Sequence, residues 1–224
     1  MVNRSGYVYG LDNASKFDYF GIVIHELPTD YDKDTTPDLV SLRKLSRLPY
    51  DQMMEILTDE LFPKYPPIKI VSDYSNEKTF TDFLERDYGK SKVMKIPFTL
   101  PTKQMLKDDG LTILEMGYEF PNPAMIEDAQ LAKWVTELIE QLKREQIIIT
   151  QSGRITFDHP QGEHNDLAIA WELSIHGCLE YILKKGARPI IQGASPKTSK
   201  SSYTDYSNLF PELKGMSNVN YYKR

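Results

Sequence analysis

The sequence has almost no cysteine, no long apolar run and no surplus of basic residues, and each shortage excludes a class of protein. Cys178 is the one cysteine in 224 residues, which excludes an internal disulfide and a cysteine-based zinc site. No apolar run reaches the roughly 20 residues that span a bilayer. The N-terminal residues also lack the apolar centre of a signal peptide. We therefore expect an intracellular protein without a membrane segment.

The formal net charge is −5, whereas proteins that bind nucleic acid regardless of its sequence usually carry a basic surplus. Total charge taken alone therefore argues against a nucleic-acid binder. The charges are unevenly distributed, because acids crowd the first half and the stretches "YILKKGARP" and "ASPKTSKSSY" near the end are basic. Clustered acids can hold metal ions, which reverse the local sign of the charge.

Short apolar runs rich in β-branched and aromatic residues predict three strands in succession, which the short connections favour as antiparallel. Alternating helices and strands are predicted to follow, ending in a long helix from about Asn165 to Lys184. Pro63 is expected to end the first helix, and Gly110 is expected to interrupt a later one. The three predicted N-terminal strands are Val8–Leu11, Phe20–Ile24 and Leu39–Leu45.

The predicted order is β-β-β-α-β-α-β-α-α, typical of an α/β fold with a mixed sheet. Three antiparallel strands come first, parallel strands follow, and helices cover both faces. After Gly186 the chain becomes polar and rich in Ser, Lys, Tyr and Asn. We therefore expect one folded domain over residues 1–186 and a weakly structured tail over 187–224.

Three acids lie at junctions between predicted elements. Asp12 ends the first strand, Asp73 ends the strand Ile68–Asp73, and Asp166 begins the last long helix. If the two strands are adjacent and parallel, their acids lie at the same edge of the sheet, where ligands of such sheets bind. Three carboxylates in one place repel each other unless a cation offsets their charge. Oxygen ligands suit Mg²⁺ or Mn²⁺, and two such ions about 3.5–4 Å apart can clamp a phosphodiester during hydrolysis.

Each of these residues also has a simpler interpretation. Aspartate at a strand end is commonly a turn former or a helix cap, and Asp166 alone fits an acid that faces the helix dipole. His164 could orient water or protonate a leaving group, or it could simply neighbour the helix cap. Lys78 could contact a phosphate, although solvated lysines are common on helices.

Three stretches, "YGLDNASKFDYFGIVI", "IKIVSDYSNEKTFTDFL" and "GEHNDLAIAWELSI", resemble the acid motifs of the nuclease domain of viral large terminase subunits. The resemblance covers roughly Tyr7–Leu183. It departs from the family pattern where Ser75-Asn76-Glu77 replaces glycines after the second acid. It departs again where Asn165 replaces an acid that could help to hold a metal.

The resemblance implies a ribonuclease H-like fold and a metal-dependent endonuclease that cuts double-stranded DNA with little sequence preference during viral genome packaging. It implies that Asp12, Asp73 and Asp166 are catalytic and, together with Asp18, hold two Mg²⁺ or Mn²⁺ ions. The implied partners are a viral portal, a terminase ATPase domain and a small subunit, in the host cytoplasm. The family's motor half has a P-loop, and no such motif occurs here, so no ATPase activity is expected of this chain.

Two rival functions remain open. A transposase or Holliday-junction resolvase would share the fold, although a transposase usually carries a separate DNA-binding domain. A non-catalytic module that docks on a viral portal belongs to another class, and it would have no need of the acids.

Overall fold

The computed structural model describes residues 6–13, 19–28, 36–46, 48–75, 78–144, 146–149, 155–158 and 164–184. Its strands are β1 Tyr7–Asp12, β2 Tyr19–Glu26, β3 Asp38–Ser46, β4 Pro67–Asp73, β5 Val93–Ile96, β6 Gln146–Ile149 and β7 Ile155–Asp158. The main helices are α1 Tyr50–Glu55, α2 Phe62–Lys64, α3 Lys78–Tyr88, α4 Leu100–Glu115, α5 Ala129–Arg144 and α6 Asp166–Lys184. A π-helical turn, Ile56–Leu61, joins α1 to α2, and Pro123–Met125 forms a 3₁₀ turn.

Five strands form one mixed sheet in the order β3-β2-β1-β4-β5. The pairs β3–β2 and β2–β1 are antiparallel, whereas β1–β4 and β4–β5 are parallel. Strands β6 and β7 form a separate antiparallel pair. The predicted fold class is confirmed, because three antiparallel strands are followed by parallel ones with helices on both faces.

The two faces of the sheet have separate cores because strand side chains alternate in direction. One face packs against α1, the π-helical turn and α3 through a cluster that includes Tyr9, Phe20 and Phe80. The other face packs against α6, which in turn contacts α4 and α5. Trp171 of α6 is almost fully buried in this second core. Cys178 is fully buried farther along the same helix, so both side chains have packing roles.

Helix α6 lies close to the sheet because glycines leave room for it. A Cβ atom at Gly10 would lie 2.5 Å from the Ser174 nitrogen, and one at Gly177 would lie 2.6 Å from a methyl of Val71. Real Cβ atoms do not approach this closely, so these positions admit no larger side chain without movement. The close approach brings the first turn of α6 against the carboxyl end of β1.

Two helix predictions are wrong in detail. Helix α4 continues through Gly110, where a Cβ atom would lie 3.0 Å from the Trp171 ring, so this glycine makes room for the indole instead of breaking the helix. The helical segment that begins with α1 continues through the π-helical turn Ile56–Leu61 and past Pro63, and it ends at Lys64, the last residue of α2. A proline inside a helix lacks an N–H and crowds the carbonyl four residues earlier, and a π-helical turn accommodates that disruption.

A buried hydrogen-bond network joins β2 to α6 away from the acids. His25 Nδ1 lies 2.8 Å from Ser174 Oγ, and His25 Nε2 lies 2.8 Å from Tyr118 Oη. Burial lowers the pKa of His25 to about 3, so its ring is neutral at physiological pH. This histidine therefore has a packing role.

None of the helices in the described ranges is long and apolar enough to cross a bilayer.

Candidate metal centre and active site

Two of the predicted site residues, Asp12 and Asp73, end adjacent parallel strands. Leu11 pairs with Ser72, so the next residues along the two strands, Asp12 and Asp73, are neighbours in the same register. Adjacent strands lie about 4.8 Å apart. The two strands are adjacent and parallel, which is the condition under which the sequence places both acids at the same edge of the sheet.

Both acids lie on the face of the sheet that α6 covers. Side chains two residues apart on a strand share a face. Gly10, two residues before Asp12, contacts α6, and Val71, two residues before Asp73, packs with Leu173 of α6. The two carboxylates therefore occupy the edge toward which α6 begins.

Asp166 lies at the same edge because its backbone packs against Gly21 of β2. Gly21 pairs with Asp12 across the β1–β2 ladder, and a Cβ atom at Gly21 would meet the carbonyl oxygen of Asp166 and lie 2.9 Å from its carbonyl carbon. The first residue of α6 thus lies over the position beside Asp12. All three predicted catalytic acids gather at one end of the sheet.

A basic residue, Lys44, lies in line with Gly21, Asp12 and Asp73 across the sheet. Lys44 of β3 pairs with Gly21 on the side opposite Asp12, so Lys44, Gly21, Asp12 and Asp73 form one row across four strands. The Lys44 ammonium lies 3.7 Å from Asp166 Oδ2 and 2.5 Å from Glu137 Oε1. Asp166 is therefore bordered by a lysine on one side and by the acids of β1 and β4 on the other.

Helix α5 fixes the start of α6. Gln141 Oε1 accepts hydrogen bonds from the backbone N–H groups of Leu167 and Ala168, both at 3.0 Å. These are first-turn donors that have no partner within their own helix. Gln141 Nε2 in turn donates to Glu137 Oε1 at 3.2 Å. The position of Asp166 therefore depends on side chains of α5.

Asp73 is buried, and burial raises the pKa of its carboxyl group above the usual value. Hydrogen bonds from Ser75 oppose this shift, and the positive charge of Lys103 opposes it more weakly. The backbone N–H of Ser75 donates to Asp73 Oδ1 at 2.8 Å. A buried carboxylate with a raised pKa gains from a nearby cation, as a metal ligand does.

Asn13 joins the two acid-bearing strands from the opposite face. Its buried Nδ2 donates to Ser72 Oγ at 2.9 Å, to the Asp73 carbonyl oxygen at 2.8 Å and to Thr81 Oγ1 at 2.9 Å. These contacts connect the ends of β1 and β4 to α3. They hold the backbones of Asp12 and Asp73 in their common row.

The remaining predicted site residues are more peripheral. His164 is exposed and its ring lies 5.3 Å from that of Tyr19. Lys78 is exposed at the start of α3, with its ammonium 5.5 Å from the Tyr74 ring. Asp18 lies outside the described residues.

Within the described ranges, no three His, Cys, Asp or Glu side chains form a group that could hold a metal ion as they stand. The donor types nevertheless fit Mg²⁺ or Mn²⁺, because three carboxylates supply hard oxygen ligands. Asp12 and Asp73 end adjacent strands and Asp166 lies over the next strand, so the three acids share one edge of the sheet without forming a ligand set as they stand. To complete the set of ligands, the Asp166 carboxylate would have to turn away from Lys44 and toward the ion.

Three residues that position the acids were not predicted from the sequence: Gly21, Lys44 and Gln141. Gly21 lies within an otherwise apolar strand, and an isolated glycine there is a known signal of close backbone approach. Lys44 and Gln141 carried no local signal, because their importance depends on partners about 90 and 25 residues away in the chain.

Solved structures with a similar fold are large terminase nucleases from phages. The large terminase nuclease from thermophilic phage G20c matches with a TM-score of 0.55 and 16% identity, over 77% of this chain and 82% of that chain. The same nuclease with bound magnesium matches with a TM-score of 0.54 and 15% identity, over 77% and 81%. The Thermus phage P74-26 large terminase nuclease domain matches with a TM-score of 0.54 and 15% identity, over 76% and 78%.

These likenesses confirm the resemblance at the level of the fold, which is ribonuclease H-like. A scan against models of protein families finds no match, and no curated protein is significantly similar in sequence. The similarity is thus carried by the arrangement of strands and helices.

Proposed function

We propose that this protein is a metal-dependent endonuclease that cuts double-stranded DNA with little sequence preference during viral genome packaging. The observation that supports this most is the convergence of Asp12, Asp73 and Asp166 at one edge of a ribonuclease H-like sheet. The fold is shared with large terminase nucleases, one of which has been solved with bound magnesium.

In this proposal Asp12, Asp73 and Asp166 hold two Mg²⁺ or Mn²⁺ ions, and Asp18 assists them. Such ions would activate water and stabilise the oxygen that leaves the phosphodiester. The chain itself supplies the fixed geometry: Asn13 holds the ends of β1 and β4 together.

The surroundings of Asp73 suit a phosphate backbone. Lys103 lies close enough to affect the pKa of Asp73. The Lys78 ammonium lies 5.5 Å from the centre of the neighbouring Tyr74 ring. The Lys95 ammonium lies 4.9 Å from the same ring and is paired with Asp82 and Glu85, both at 2.7 Å. Lysine ammonium groups contact phosphates without regard to base sequence. His164, beside Tyr19, and Lys78, beside Tyr74, are proposed as accessory residues.

The proposal extends to the domain organisation and the partners. Residues 1–186 form the nuclease domain and 187–224 a polar tail. In this proposal the domain works beside a portal, a small subunit and a terminase ATPase domain. Its place of action is the host cytoplasm during virus assembly.

Plasmid digestion tests the proposal. Supercoiled plasmid is incubated with the full chain in Mg²⁺, in Mn²⁺ and in chelator, and a four-way junction of the same sequence is assayed in parallel. We expect cleavage of plasmid with either metal, none in chelator and none by Asp12→Asn. Exclusive cleavage of the junction would favour a resolvase, whereas a wild-type protein that neither cuts DNA nor binds metal would favour the docking module.

A further inference from the structure

Lys44 places a positive charge beside Asp166, a proposed metal ligand, where it would repel a bound cation. Its ammonium lies between two carboxylates, 2.5 Å from Glu137 and 3.7 Å from Asp166. The side chain is only 12% exposed, and its nitrogen lies 4.2 Å from the centre of the Tyr19 ring. The lysine is therefore confined beside Asp166 by its surroundings.

The two acids compete for this single ammonium. Glu137 holds it by a short hydrogen bond, whereas the distance to Asp166 permits electrostatic attraction alone. Glu137 is about a third exposed and Asp166 is almost fully buried. The charge on Glu137 thus draws Lys44 away from Asp166.

We infer that Glu137 and Lys44 are positioning residues that set how tightly Asp166 binds a divalent cation. This rests on the proposed metal-dependent function and concerns its regulation. Lys44 neutralises Asp166 when no metal is bound and opposes the ion when it arrives, because like charges repel. Glu137 weakens that opposition by holding Lys44 on its own side.

The arrangement is accessible from outside. An open groove of about 380 Å³ is lined by Lys44, Glu137, Glu140, Gln141, Arg144 and His164. A phosphate or an ion that enters this groove can reach the Glu137–Lys44 pair. The pair therefore links the surface of α5 to the buried Asp166.

The inference predicts opposite effects for two changes within one ion pair. Lys44→Met removes the competing charge but keeps the alkyl stem, so Mn²⁺ should bind about tenfold more tightly. That factor is the lower end of the effect that an adjacent cation has on proton binding by a carboxylate. Glu137→Gln keeps an oxygen for Gln141 but releases Lys44 toward Asp166, so Mn²⁺ should bind about tenfold more weakly.

Calorimetric titration of the full chain with Mn²⁺ measures these affinities without relying on cleavage. The double variant Lys44→Met/Glu137→Gln should bind like Lys44→Met, because Glu137 acts through the lysine. Arg43→Met and Glu60→Gln are matched controls. Their ion pair is 2.7 Å long and includes Arg43, the residue of β3 that immediately precedes Lys44. The side chain of Arg43 faces the other side of the sheet, so the Mn²⁺ affinities of both variants should stay at the wild-type value.

The outcomes separate this inference from the proposed function. If the wild-type chain binds no Mn²⁺, the proposed function is wrong. If it binds Mn²⁺ but both single variants weaken binding, the two side chains act through the fold alone and the inference is overturned. Weaker binding by the double variant than by Lys44→Met would also overturn it, because Glu137 would then act through Gln141 or through its own charge and not through Lys44. If Lys44→Met fails to fold in chelator, wild-type affinity in Glu137→Gln is by itself sufficient to overturn it.

Discussion

The contact between Gly21 and Asp166 allows the metal centre to be perturbed without touching a carboxylate. In Gly21→Ala the new Cβ atom would lie 2.9 Å from the Asp166 carbonyl carbon and 3.3 Å from Ala170 Cβ. Carbon atoms pack best at about 3.5–4.0 Å, so the first turn of α6 must retreat by roughly 0.6 Å or more. The neighbour that must move is backbone that Gln141 already fixes.

The cost in stability should be modest. Overpacking costs about 1–3 kcal/mol, and replacing a strand glycine regains roughly 0.5–1 kcal/mol. At this chain size each kcal/mol corresponds to about 2–4 °C in Tm. Gly21→Ala should therefore lower Tm by only several degrees, yet a displacement approaching 1 Å at a reacting centre can cost about 100-fold in rate. Thermal melts in chelator, Mn²⁺ titration and plasmid cleavage are measured on the same preparation.

Gly177→Ala is the matched control on the same helix. Its Cβ atom would lie 2.6 Å from Val71 Cγ2 and 2.7 Å from Val8 Cγ1, which are side-chain methyls, and a helical glycine replaced by alanine regains up to about 1 kcal/mol. Position 177 lies 11 residues beyond Asp166, roughly 16 Å along the helix. We expect wild-type Mn²⁺ affinity from this variant. Wild-type affinity and cleavage in Gly21→Ala would refute the placement of Asp166 at the metal centre.

Three further changes test other parts of the structure. Burial raises the pKa of Asp73, so the ionised carboxylate destabilises the folded protein at pH 7 and Asp73→Asn should raise Tm in chelator. As pH falls from 7 toward the unfolded pKa of about 3.9, the folded wild type takes up this proton before the unfolded chain does, so the Tm difference should shrink. A Tm difference that is constant with pH would contradict the burial argument. Asn13→Ala leaves buried acceptors without their donor and should cost about 1–3 kcal/mol in urea unfolding, and an unchanged midpoint would show that Asn13 does not hold β1 to β4. Asp166→Asn should reduce cleavage by orders of magnitude, and normal cleavage by this variant would exclude Asp166 as a ligand. Asn165→Asp should tighten Mn²⁺ binding, which calorimetric titration measures.

The elements of this fold were predictable because each follows from local pattern. Apolar runs bounded by polar turns predicted β1 and β2, and the apolar stripe containing Trp171 predicted α6. Asp12 and Asp73 were placed together by one topological argument, since the carboxyl ends of adjacent parallel strands meet at one edge. Pro63 and Gly110 misled the prediction, because a π-helical turn and a neighbouring indole decide their effect.

The tertiary structure alone decided what surrounds Asp166. Nothing in the local sequence of β3 sets its register against β2, so nothing there shows that Lys44 lies in the same row as Asp12. Gln141 acquires its capping role only when α5 packs beside α6, and Gly21 acquires its role only when α6 descends onto the sheet. Local sequence determines which residues can form strands, helices and metal ligands, because those propensities act over a few residues. Contacts between distant segments decide whether a carboxylate faces a cation, a lysine or solvent, because those contacts exist only once the whole sheet and its helices have packed.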